Sequence, residues 1–163
     1  MTEVTEGAER AAPEPAPQDD PAEVYGQRLA DALTAHQAAL QPVGELIVRL
    51  EGSPDLMTED AWRGEIESAL ESLDGAGAAL VDLAPPPEEI PKPAIYSWRR
   101  ARQHLERVGS ETRALVGDWR QAIAGGDAEA VQAPRGHLHR IGAARHKALQ
   151  EAARARASAR PPG

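Results

Sequence analysis

The sequence predicts an all-α fold, an antiparallel up-down-up-down four-helix bundle with a disordered acidic N-terminal tail. Three observations carry that expectation. Apolar residues recur at steps of three and four along four segments, which is the spacing of one helix face. Short breaker runs join the segments, and short connections make consecutive helices antiparallel neighbours. Aromatics form only 3% of the chain and Phe is absent. The core must then be built from Leu, Ile, Val and Ala, without the β-branched and aromatic runs of strands.

Residues 1–19 are rich in Glu, Ala and Pro, with little to bury, and read as the disordered tail. Order is expected from residue 20, where Asp20 can accept orphan amides, Pro21 suits the first helical position and Glu23 completes a capping-box-like pattern. The first helix, about 21–51, carries Tyr25, Leu29, Leu33, His36, Leu40, Val43, Ile47 and Leu50, with Pro42 expected to kink it. The second, about 59–83, starts near Thr58 as N-cap and carries Trp62, Ile66, Leu70, Leu73, Gly77, Leu80 and Leu83. Pro85, Pro86 and Pro87 stop it. The third, about 94–124, carries Ile95, Trp98, Leu105, Val108, Thr112, Leu115, Trp119 and Ile123. Gly125, Gly126 and Asp127 then supply a left-handed turn and the next N-cap. The fourth, about 128–155, carries Val131, Leu138, Ile141, Arg145 (or Ala144), Leu149 and Ala152, and breaks near 134–136 at Pro134 and Gly136. The bundle is thus bounded at 20–155, and residues 156–163 are expected to fray.

Charge divides the chain. Residues 1–90 hold 20 acids and 4 bases, whereas residues 91–163 hold 6 acids and 14 bases, within a net charge of −8. Two halves of opposite sign either pair with each other, the simpler reading, or leave a basic face for an acidic partner. The basic residues are sixteen Arg and two Lys, and Asn is absent. That usage looks like a GC-rich bacterial genome, so Arg abundance by itself says little about nucleic acid. The chain has no Cys, which excludes disulfides, thiolate metal sites and cysteine catalysis. The opening MTEVTEGAER lacks an apolar signal core and no apolar run approaches a membrane span, so the expectation is a cytoplasmic protein without a membrane partner.

Catalytic patterns fail one by one. GxSxG, Walker A, GxGxxG and HExxH are all missing. His137 and His139 stand two apart and diverge on a helix, while His139 and His146 are separated too far along the axis to share an ion. No cofactor is expected. Phosphotransfer bundles follow their histidine with a base at plus three and Gly at plus four. His104 and His137 have Arg107 and Arg140, but then Val108 and Ile141. The sequence therefore reads as a non-enzymatic interaction module, an adaptor or regulatory protein, with a protein partner.

Two alternatives have named residues. A nucleic acid or other polyanion could track the basic face of the third and fourth helices, Arg99, Arg100, Arg102, Arg135, Arg140, Arg145 and Lys147. A small ligand could enter a mid-bundle pocket at His36, Thr112 and His139. Against the pocket, a buried neutral His36 is satisfied by a hydrogen bond to Thr112, and the interior glycines Gly75, Gly77, Gly109 and Gly142 allow close helix contact.

Overall fold

The computed structural model describes residues 20–133 and 135–159. The expected tail 1–19, Pro134 and residues 160–163 lie outside them. All regular structure among the described residues is helical. Four long helices, α1 (Pro21–Gly52), α2 (Asp60–Val81), α3 (Ala94–Ala124) and α5 (Arg135–Ala159), are joined by a 3₁₀ turn (Pro54–Thr58), a proline-rich connection and the one-turn helix α4 (Ala128–Val131). No described helix is long and apolar enough to cross a membrane.

The caps largely follow the residues that predict them. Asp20 accepts the Ala22 amide at 3.0 Å, and Asp127 accepts that of Ala130 at 3.1 Å. Gly126 takes a positive φ of 68° between α3 and α4, a conformation that costs glycine little. Thr58 departs from expectation. Its hydroxyl donates to the Asp55 carbonyl at 2.8 Å, closing the 3₁₀ turn, and α2 begins two residues later with Glu59 at the cap position. Pro42 lies inside an uninterrupted α1.

The buried face of α1 shifts at that proline. Val43, Leu46 and Leu50 are buried, while Leu40 and Ile47, expected in the core, are only partly covered. In α2 and α3 the expected stripes are buried almost residue for residue. In α5 they are buried only in part. Leu138 and Leu149 are exposed, and the buried face is Ile141, Ala144, Ala148, Glu151 and Ala155. Alanines let the backbone of α5 approach α3, with which it makes the most extensive contact of any pair. The helix continues past 155 because Ala155 is wholly buried and the Arg156 guanidinium lies 5.4 Å from the centre of the Trp98 ring.

Aromatic side chains join the helices through their polar ends. Trp62 Nε1 donates to the Leu46 carbonyl at 3.1 Å, and Trp119 Nε1 to that of Val131 at 3.0 Å. Tyr25 meets Trp98 edge-on at 5.9 Å, and its hydroxyl donates to the Ala84 carbonyl at 2.8 Å. Burying side chains of this size stabilises by roughly 1.5–3 kcal/mol each.

The tightest contact is between α2 and α3. A Cβ on Gly109 would overlap the Gly77 carbonyl, and one on Gly77 would sit 3.1 Å from the Gly109 carbonyl. Gly75, Gly117 and Gly142 face nothing within 4 Å. Gly109→Ala is therefore expected to destabilise by about 1–2 kcal/mol, overpacking outweighing the helix-propensity gain of about 1 kcal/mol. Gly117→Ala should retain that gain and stabilise. Urea unfolding of the two variants separates the effects; equal stabilisation would mean that the crossing is not tight.

Candidate functional site

His36 and Thr112 meet as the sequence expects. Both are buried, and His36 Nε2 lies 2.8 Å from Thr112 Oγ1. Thr112 has one hydroxyl proton, and it donates that to the Val108 carbonyl at 2.7 Å. The oxygen must then accept from His36, so Nε2 carries the ring proton. Nδ1 is buried without a partner among the described residues. A second proton there would have no acceptor, and burial together with the nearby Arg145 holds the imidazole below its ordinary value. His139 does not join them. It is exposed on the outer side of α5, because it stands two residues from buried Ile141 and a helix turns about 100° per residue.

The expected basic face is dispersed. Arg99 lies over the Tyr96 ring at 5.7 Å. Arg100 pairs with Glu151 at 3.2 Å, Arg102 donates to the Leu83 carbonyl at 2.7 Å, and Arg140 pairs with Glu111 at 3.1 Å. Arg145 donates to Gln37 of α1. Lys147 is exposed on α5, and Arg135 is placed there by its backbone. Among the described residues, ion pairs between the acidic and basic halves join Arg113 with Asp74 at 3.3 Å and Arg120 with Glu67 at 3.3 Å.

His137 braces the break before α5. Its ring lies 2.7 Å from Glu111 through Nδ1 and 3.0 Å from Asp118 through Nε2. Both bonds form together only when both nitrogens carry protons. The hydrogen bond from His137, joined by Arg140 and opposed by desolvation, holds the Glu111 carboxyl below its ordinary range. A shallow cleft of about 680 Å³ opens beside it, lined by Asp118, Gln121, Asp127, Gly136, His137 and Arg140.

The apolar site lies elsewhere, in the seam between α1 and α5. Those two helices have little direct backbone contact. Side chains bridge them instead: Arg145 reaches Gln37, and the Arg156 guanidinium lies where a Cβ on Gly26 would meet it at 3.0 Å. Below the Arg145 bridge a groove of about 450 Å³ is walled by Leu40, Gly44, Ile47 and Val48 of α1, with Trp119 as its floor and Val131 and Leu138 opposite. A larger hollow of about 760 Å³ between α1 and α2 is lined mostly by small and apolar residues such as Ala38, Pro42, Leu46 and Ala61, with Ser68, Ser72 and the Arg49–Glu65 pair as its polar part. Apolar periodicity does not reveal the seam, because Leu40, Ile47 and Leu138 all fall on core positions of their stripes. The adjacent apolar pair Ile47 and Val48, too wide for one stripe, was the available signal.

Comparison with known protein families, curated proteins and solved structures finds no match to this chain. Any functional reading therefore rests on the geometry.

On the acid side the pH dependence of stability follows from three shifted groups, His36 and His104 in the upper range and Glu111 in the lower. His36 is held below 6.5 in the fold, so the unfolded chain binds more protons below that pH. Its contribution is complete above 6.5 and declines as pH falls through the folded value. Glu111, held below 4.5, contributes above that pH and is lost as pH falls through its own folded value. Urea midpoints should thus fall in two steps on acidification. His36→Gln, which keeps a donor to Thr112, is expected to shrink the upper step to the part that His104 contributes, and Glu111→Gln to flatten the lower. An upper step unchanged in His36→Gln would assign it to another group.

Proposed function

We propose that the chain is a non-enzymatic contact module, an antiparallel up-down-up-down bundle that holds an amphipathic helix of a protein partner in the seam between α1 and α5. Residue numbers rise along one helix as they fall along the next in each consecutive pair of long helices. Tyr25 with Ala84 and Leu46 with Trp62 run so for α1 and α2. Asp74 with Arg113 and Glu67 with Arg120 do so for α2 and α3, and Arg100 with Glu151 and Glu111 with Arg140 for α3 and α5. These pairs support the up-down order.

The observation that carries the function is the exposed apolar lining of the seam. Val48 is 64% exposed and Leu138 39%, although both sit on a groove whose floor is a buried tryptophan. Gln37, Gln41, Gly44 and Val48 line it at successive turns of α1, roughly 16 Å of helix at 1.5 Å per residue. An apolar stripe of three helical turns on a partner has the matching length and spacing, with Gly44 leaving room for a large side chain. Asp31 and Glu45 are exposed on α1 and its flank is acidic, so the complementary helix carries Lys or Arg beside its apolar stripe.

The test uses the full chain as bait in a nuclease-treated lysate of its own cells, beside Val48→Glu and Leu138→Glu. Both positions are exposed, so the variants should melt as the parent does while capture of the parent's partner falls at least about tenfold, the equivalent of 1.4 kcal/mol. A partner held equally by both variants, or released by the nuclease, would remove the seam from the function.

A further inference from the structure

A second surface lies on the outer side of the groove between α3 and α5. Arg100, His104 and Arg107 occupy successive turns of α3, and Lys147, Glu151 and Arg154 occupy successive turns of α5. The two rows face each other. Arg100 Nε is 3.2 Å from Glu151 Oε1, and His104 lies within electrostatic reach of Lys147, Glu151, Arg107 and Arg100. Glu151 is the organising group. It is buried, its second oxygen takes Arg154 at 2.9 Å, and its first lies within ion-pair distance of Arg100 without a hydrogen bond among the described residues, so one carboxylate draws two guanidinium heads together. Arg107 and Lys147 are exposed, and neither has an ion-pair partner among the described residues. The strip thus holds four full positive charges and one negative charge over about 10 Å of helix.

We infer that this groove binds a compact, multiply charged phosphate anion, gripped by Arg107 and Lys147 and by the two arginines that Glu151 holds beside them. Fixed guanidinium groups suit phosphate oxygens because their paired donors match them in geometry and charge. The length accommodates two or three linked phosphates. A polymer fits less well. Towards the α5 start the strip meets the carboxylates of Glu111 and Asp118, and the chain as a whole carries −8, so a long polyanion leaving the strip would run into repulsion.

His104 makes the inference specific. Its imidazole is held below the ordinary value first by burial, then by Lys147, Arg107 and Arg100, with Glu151 opposing. An anion seated among those cations cancels their effect, so binding is coupled to proton uptake at His104. A merely sticky basic surface, with the anion remote from the ring, would leave that titration unchanged.

The experiment is calorimetric titration of the full chain with tripolyphosphate at low salt, with the His104 ring followed by NMR against pH. Saturable one-site binding is expected, together with an upward move of the His104 titration at saturation. The double variant Arg107→Ala/Lys147→Ala should bind at least about tenfold more weakly, each lost contact being charge-assisted. Val48→Glu in the seam should bind as the parent does, which keeps this test apart from that of the partner groove. Absence of saturable binding, unchanged affinity in the double variant, or a stationary His104 titration would each overturn the site. Tighter binding of a single-stranded oligonucleotide than of tripolyphosphate would overturn the compact-anion assignment in favour of nucleic acid.

Discussion

The close passage of α2 over α3 at Gly77 and Gly109 is the constraint on which the other contacts depend. With no Cβ on either side, the two backbones approach until a Cβ on Gly77 would sit 3.2 Å from the Thr112 methyl. That approach fixes where α3 stands, and α3 touches every other long helix. On one flank it buries Leu105, Val108 and Leu115; on the other it receives the alanine face of α5. Thr112 is thereby brought to where the ring of His36 reaches it. The glycines cost about 1 kcal/mol each in helix propensity, and the packing they permit offsets that cost through the large residues it buries.

A bundle centred on α3 does not close evenly. Small residues draw α5 to α3, while α1 packs against α2 through Leu46, Leu50, Trp62 and Ile66. Between α1 and α5, among the described residues, the long side chains of Arg145 and Arg156 span what sparse backbone packing leaves open. The seam thus results from where the alanines lie. A leucine-faced α5 would have stood farther from α3 and nearer to α1, and Leu138 and Leu149 would have filled the space.

That same preference explains which parts of the fold were legible in the sequence. Periodicity located all four long helices, and it buried the right residues in α2 and α3, where large apolar side chains sit at regular steps. It succeeds only in part in α5, where Ile141 and Ala144 are buried but Leu138 and Leu149 are not, because close packing selects the smaller residues over those that hydrophobicity ranks higher. It failed beyond Pro42, where Leu46 replaces Ile47 in the core. The site was readable in the same measure. His36 and Thr112 stood on two strong stripes and do meet, but His139 was assigned by height along the bundle alone and lies on the wrong face. Charge was the least legible property. The two halves of the sequence differ in sign, yet Arg100, Arg102, Arg140 and Arg154 find carboxylates in their own half, since α3 and α5 are neighbours and each carries a few well-placed acids.

A polar pair at the centre of an apolar bundle requires its own explanation. Leucine at position 36 would bury more apolar surface and leave no imidazole nitrogen without a partner. Apolar contacts are nearly indifferent to a small slide or rotation of one helix against another. The contact of α1 with α3 is sparse, so packing alone defines their relative setting poorly. A directional bond from His36 Nε2 to Thr112, whose own proton is committed to Val108, is satisfied at one height and one rotation of α1. Buried polar residues are known to specify register at a cost in stability. Here the residue so fixed is one turn from Leu40 and two from Gly44, so the bond that sets α1 against α3 also sets the wall of the seam.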